Sequence, residues 1–198
     1  MNGFRQIPVT MAESLGFRGD EAVPVAISAC LLGEPVRYDG RDKSWSEAIA
    51  CARENRAIRL VPLCPEVGCG LGVPREPMRL EGDPDCPRAM TITSRIDQTE
   101  RLQAWSERCV AELVAGGVRG FLLKSRSPSC GVNRVPVHDS QGVPRPVGMG
   151  LFAGVCRRRF PGLPLVEGDP ALDRTHLLTF LERVRSVGIP TGGEARSW

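Results

Sequence analysis

Short apolar runs rich in β-branched residues alternate along this chain with longer stretches whose apolar positions recur every three or four residues. Residues 23–29 (VPVAISA), 58–63 (IRLVPL) and 119–123 (RGFLL) have the first pattern and predict buried strands of a parallel sheet; 163–166 (LPLV) is a weaker fourth. Across 97–115, Leu102, Trp105, Cys109, Val110, Leu113 and Val114 fall on one helical face, and Gly116-Gly117 closes the end. Further helices are predicted over 44–55, with Ser44 and Glu47 as a capping box, over 150–159 and over 171–187. Residues 78–80 and 90–93 predict a short antiparallel pair around the turn GDPDCPR. Strands alternating with helices give the α/β class: a single domain over 23–188 with a mainly parallel, Rossmann-like sheet flanked by helices. An N-terminal extension (1–22) and a flexible C-terminal tail (189–198) are expected on either side.

Composition narrows the class of function. A chain of 198 residues with 41% apolar and 25% charged residues is an ordinary globular protein. Its net charge of +3 is too small for the basic stripe of a dedicated nucleic-acid binder. No apolar run approaches the ~18 residues that cross a bilayer, and the N-terminus lacks the apolar core of a secretion signal, so a cytoplasmic, membrane-free protein is expected. In that compartment the eight cysteines are expected to be reduced, which turns attention to metal binding or catalysis.

Placed on the predicted frame, Cys30 follows the first strand, Cys64 the second, and Cys130 lies a few residues past the third in the loop KSRSPSCGV. Pro128 and Gly131 keep that loop irregular, Pro128 by removing a donor and Gly131 by inviting an unusual backbone angle. Loops at the carboxyl ends of parallel strands converge on ligands, so the three thiols are expected in one small volume. The others have plainer readings. Cys109 and Cys156 sit on apolar helix stripes and Cys51 in an Ala-rich stretch, all as core residues, while Cys86 lies between prolines in a turn. Cys69, five residues past Cys64, is an alternative ligand or a spare sulfur carrier. Zinc with three cysteines usually recruits a histidine, and His138 keeps that reading open; His176 reads as a packing or surface residue. Iron and sulfide prefer thiolates throughout, and a cubane on three cysteines leaves one iron open.

Four motifs in order, ISACLLGEPVRYDG (27–40), VPLCPEVGCGLGVPREP (61–77), LLKSRSPSCG (122–131) and VGMGLFAGVCRRRFPGLPLVEGD (147–169), resemble the 2-thiouracil desulfurase, or TudS-like, family. The resemblance covers 23–185 and implies a 4Fe-4S cluster on Cys30, Cys64 and Cys130, with non-redox removal of sulfur from a thiolated pyrimidine. It places the acid/base function on Glu66 and on either Ser125 or Ser127.

The remaining motif residues carry two readings each. Tyr38-Asp39-Gly40 is first a turn, though Arg37 and Asp39 are positioned to orient a substrate. Lys124 is either a cation offsetting cluster charge and binding substrate or a rim lysine. Gly148-Met149-Gly150 either presents amides to an anion or makes a tight helix entry, and Arg157-Arg158-Arg159 reads as solvated charge compatible with the helix dipole. The leading function is an iron-sulfur desulfurase acting on a small thiolated base or nucleoside. Its rival is a cluster-binding or thiolated-nucleoside-binding protein without catalysis. A cysteine hydrolase lacks a histidine in the converging loops.

Overall fold

The structure is a computed structural model describing residues 22–54, 56–172 and 174–187; the expected tail, and the expected extension up to residue 21, lie outside them. Along the chain β1 (Val23–Ser28) runs through a 3-10 turn (Ala29–Leu32) to α1 (Ser46–Glu54), β2 (Ile58–Leu63) and the one-turn α2 (Pro65–Gly68). The short strands β3 (Met78–Glu81) and β4 (Arg88–Thr91) precede α3 (Thr99–Ala115) and β5 (Phe121–Lys124). Then come β6 (Val135–His138), β7 (Pro144–Gly148), α4 (Leu151–Arg159), β8 (Leu165–Gly168) and α5 (Arg174–Ser186). No helix among the described residues is long and apolar enough to cross a membrane.

The four expected strands form one parallel sheet in the order β2-β1-β5-β8. Side chains alternate across its faces. Ala26, Leu63, Phe121 and Leu123 point to α3 and α4, where Val110, Leu113, Phe152 and Val155 meet them. Val25, Ile27 and Leu122 point the other way, to Ala48 of α1 and to Leu177, Phe180 and Val184 of α5. Both faces are covered, so the strands read as continuous apolar runs rather than alternating ones.

A second four-stranded sheet, β4-β3-β6-β7, was not expected beyond its β3–β4 pair, which is antiparallel as predicted. Pro136, Pro144 and Pro146 argue against strands in the sequence, since proline donates nothing to a ladder. The fold accommodates them with β7 at the sheet edge and a register shift at Val135/Pro136. Leu80, Ala89, Val135 and Val137 of this sheet pack with Leu102 of α3 and Leu151 of α4.

Two local expectations are corrected. Helix α1 starts at Ser46, and the Ser44 hydroxyl donates to Asp42 Oδ1 at 2.5 Å, so the capping box with Glu47 does not form. At the start of α4 the amides of Gly150, Leu151 and Phe152 donate to the carbonyls of Gly131, Pro128 and Ser129 at 2.8–3.0 Å. The helix end thus holds the cysteine loop and offers no free amides to an anion, which makes the glycines a tight entry. A Cβ on Gly150 would stand 2.5 Å from the Ser129 carbonyl, whereas one on Gly154 of the same helix would meet only the Arg158 guanidinium at 3.4 Å.

These two positions make a matched test. Gly150→Ala should lower stability by about 1–3 kcal/mol through overpacking, seen by calorimetry as a Tm drop of about 2–4 °C per kcal/mol. Gly154→Ala should be neutral or stabilise by up to about 1 kcal/mol, the helix propensity gain. Equal effects at the two sites would contradict the close approach of α4 to the loop.

Candidate functional site

Because β1 is hydrogen-bonded to β2 on one side and β5 on the other, three consecutive sheet positions deliver their following loops to one place. The strand order reverses across β1, which opens a crevice at the carboxyl edge. A cavity of about 330 Å3 lies there, and Cys30, Cys64 and Cys130 all line it. Cys64 directly follows β2 as the extended cap of α2, whose first helical position is taken by Pro65, which has no N–H to leave unsatisfied. Gly68 lets that turn lie on the Trp105 ring of α3, where a Cβ would come within 2.1 Å. Cys69, beyond the turn, is outside the cavity lining: its Sγ is 3.3 Å from the Glu66 carbonyl and it packs against the buried cluster around Leu80 and Leu102. Cys86 is exposed, Cys156 buried, and Cys109 half-buried against the core; the side chain of Cys51 is outside the described ones.

The Cys130 loop is built by its own polar groups. The Ser127 hydroxyl accepts the amides of Ser129 and Cys130 at 3.3 and 3.1 Å, and the Gly131 amide returns to the Ser127 carbonyl at 2.9 Å. The unusual backbone angle expected at Gly131 falls instead on Arg126, with φ 54°, a left-handed conformation uncommon outside glycine. Gly131 is needed for space, since a Cβ there would stand 2.4 Å from Val135.

Burial pushes all three cavity thiols toward the neutral form. Cys64 is raised to about 11, chiefly by desolvation, and Cys30 and Cys130 are raised for the same reason. Lys124 and Arg37 act against the shift at Cys30, and a hydrogen bond from Ser28 acts against it at Cys130. Burial in turn lowers the Lys124 pKa. Three desolvated thiols with cations beside them are a donor set that a thiophilic metal centre would satisfy. Among the described residues no three His, Cys, Asp or Glu side chains stand close enough to share one metal ion. His138 is on β6, its Nδ1 3.3 Å from the Leu80 carbonyl and outside the cavity lining, so the zinc reading loses its fourth ligand. Three cysteines lining one cavity with no histidine among the lining suit an iron-sulfur cubane, which takes thiolates throughout.

Beside the sulfurs, Glu66 is held from two directions. Its Oε2 accepts from Arg75 Nε and Nη2, both at 2.7 Å, and its Oε1 accepts the Ser129 hydroxyl at 2.8 Å. Ser129 has only one hydrogen to give, so its 3.0 Å contact with Ser127 must be donated by Ser127. Hydroxyl hydrogens therefore run Ser127 to Ser129 to Glu66. Ser125 is different. It is buried outside the cavity lining and donates to Asp169 Oδ2, whose carboxyl that bond holds below the usual range. The sequence offered Ser125 and Ser127 equally and missed Ser129 and Arg75; the only signal for either was its place inside a quoted motif.

The rim carries Arg37, Tyr38, Met78, Ile92, Lys124 and Arg126. Lys124 Nζ donates to the Ser125 carbonyl at 2.8 Å, while its amide is fixed by the Ser28 hydroxyl at 2.9 Å. Arg37 lies 5.8 Å from the Tyr38 ring centroid. Asp39 does not line the cavity; it sits 3.4 Å from the Arg37 guanidinium and accepts the Arg41 amide at 3.1 Å, so it reaches the site only through Arg37.

Comparison with known proteins accords with this geometry. No curated protein matches the chain. A solved structure described as a [4Fe-4S]-dependent thiouracil desulfidase, TudS (DUF523), is similar: identity is 32%, the match covers 81% of this chain and 99% of that one, and the TM-score is 0.61. The family model for 2-thiouracil desulfurase matches residues 25–168, a span that holds all but the first two residues of the parallel sheet together with the three cavity cysteines, Glu66 and Ser127, and the chain belongs to the 2-thiouracil desulfurase family.

Proposed function

We propose that this chain is a 4Fe-4S-dependent desulfurase that converts the thiocarbonyl of a thiouracil-like compound to a carbonyl and releases sulfide. The observation that carries this is one cavity lined by three cysteines from neighbouring strands together with Glu66 and Ser127. Cys30, Cys64 and Cys130 would hold the cluster, and three thiolates leave one iron without a protein ligand. When bound, the cluster supplies a soft Lewis acid that prefers thiocarbonyl sulfur to carbonyl oxygen.

The chain's own groups do the rest. Glu66 takes a proton from the water that adds to the thiocarbonyl carbon. The Ser127 hydroxyl donates its one hydrogen to Ser129 and through it to Glu66; in turnover it releases its long 3.3 Å amide contact and takes a proton from the substrate side as it passes its own along that chain. A C–O bond forms and the C–S bond breaks; both water protons leave with sulfur as hydrogen sulfide, and no electrons change hands. Lys124 and Arg37 offset the negative charge of the thiolates and the departing sulfur. Tyr38, Met78 and Ile92 give the rim apolar surface for a flat heterocyclic base or nucleoside. The Rossmann-like character of the parallel sheet and a cytoplasmic setting, where free thiols stay reduced, belong to the same proposal. A cluster or nucleoside carrier needs ligands alone, and the Glu66–Ser129–Ser127 chain favours the enzyme. Among the cavity-lining residues there is no histidine to activate a cysteine nucleophile.

Single serine replacement of Cys30, Cys64 or Cys130 should abolish iron binding after anaerobic reconstitution, measured as iron and sulfide per chain, while Cys69→Ser should keep both iron and activity. Loss of iron from the Cys69 variant with retention in the Cys64 variant would reverse the ligand assignment.

Assays of sulfide release and thiocarbonyl absorbance with 2-thiouracil separate the serines. Glu66→Gln and Ser127→Ala should retain iron and lose about 10²–10⁴ in kcat, the usual worth of a positioned acid or base. Ser125→Ala should keep kcat within a few-fold and lose about 1 kcal/mol of stability, the worth of one hydrogen bond. If Ser125→Ala is inactive and Ser127→Ala is not, the relay is misassigned.

A further inference from the structure

Arg75 is almost entirely buried, its side chain only 8% exposed, and every part of its guanidinium is engaged. Nε and Nη2 both reach Glu66 Oε2 at 2.7 Å, Nη2 also donates to the Val36 carbonyl at 3.0 Å, and Nη1 donates to the Gly72 carbonyl at 3.1 Å. Its amide donates to the Tyr38 carbonyl at 2.9 Å. One side chain thus ties together the loop after β1, the turn after β2 and its own loop, which are separate walls of the cavity.

Putting both Arg75 contacts on one carboxylate oxygen has a directional effect. A carboxylate free to rotate presents either oxygen to a substrate. Here Oε2 is spent, and Oε1 alone, with Ser129 on it, is left to exchange a proton. Burying an ion pair gives little net stability, so its value lies in fixing one geometry. The planar fork of arginine suits that task, because it orients the group it binds as well as neutralising it.

We propose that Arg75 is a positioning residue that sets Glu66 Oε1 as the only working oxygen of the site. The chemical duty of that oxygen rests on the desulfurase reading; the orientation does not. The Val36 carbonyl also faces the Cys64 thiol at 3.8 Å, so the clamp adjoins the sulfur site and iron content must be followed alongside rate.

The test uses Arg75→Met, which keeps length and packing without donors, and Arg75→Lys, which keeps the charge without the fork. In a crystal structure of the metal-free Arg75→Met protein, the carboxylate should rotate and the Glu66–Ser129 contact should be lost. In the reconstituted protein kcat should fall about 10²-fold, the scale set by misplacing a reacting group, with KM within threefold and iron per chain unchanged; Arg75→Lys should fall between. A Glu66–Ser129 contact retained in the Arg75→Met crystal would overturn the proposal, as would a kcat loss no larger than the iron loss or a fully active Arg75→Lys. If the crystal shows the rotation while the unmodified protein releases no sulfide from 2-thiouracil, the clamp stands and the desulfurase reading falls.

Discussion

The chemistry of this chain depends on the hydrogen-bonded pairing of one strand, β1, with both β2 and β5. Cys30, Cys64 and Cys130 are separated by long stretches of sequence, and no local structure brings them together. Parallel neighbours spaced about 4.8 Å apart deliver their loops to a common edge as a matter of geometry. The covered faces of the sheet make that edge rigid: the apolar side chains above and below it leave β1 no alternative register without exchanging its two faces. Each sulfur is then positioned by the first few residues after its strand. These are the 3-10 turn at Cys30, Pro65 at Cys64, and the Ser127-based loop seated on α4 at Cys130.

Around this edge polar groups are buried at a cost that only mutual pairing offsets. Glu66 is balanced by Arg75, Ser125 by Asp169, and the Ser28 hydroxyl by the Lys124 amide and the Cys130 sulfur. The three thiols are the exception. Burial holds them protonated, offset only in part by Lys124 and Arg37 at Cys30, by the Val67 amide and Arg75 at Cys64, and by the Ser28 hydroxyl at Cys130. A site that desolvates three sulfurs is set up to gain most when a metal centre takes them as thiolates.

Much of this was legible in the chain itself. The strands of the parallel sheet announce themselves as short β-branched runs because both their faces are buried, and the cysteines follow them at the ends where ligands gather. Helix α3 is legible for the complementary reason, its one buried stripe. The second sheet was hidden by Pro136, Pro144 and Pro146, which read as breaks until an edge position and a register shift absorb them. Ser125 and Ser127 could not be separated in sequence because the left-handed turn at Arg126 decides which hydroxyl faces the cavity, and arginine gives no warning of such a turn. Ser129 and Arg75 meet Glu66 across 63 and 9 residues, contacts that only the folded chain creates. Asp39 lies outside the cavity lining, against the Arg37 guanidinium, a placement that a turn motif does not reveal.

The central claim is that three sulfurs from adjacent parallel strands meet at one metal centre. Iron anomalous diffraction from crystals of the anaerobically reconstituted protein tests it most directly. The account predicts one compact four-iron peak in the cavity, within bonding distance of the Cys30, Cys64 and Cys130 sulfurs only, with one iron facing the rim of Arg37, Tyr38 and Lys124. Iron bound to Cys69 in place of Cys64, or scattered among the other cysteines with this cavity empty, would contradict it.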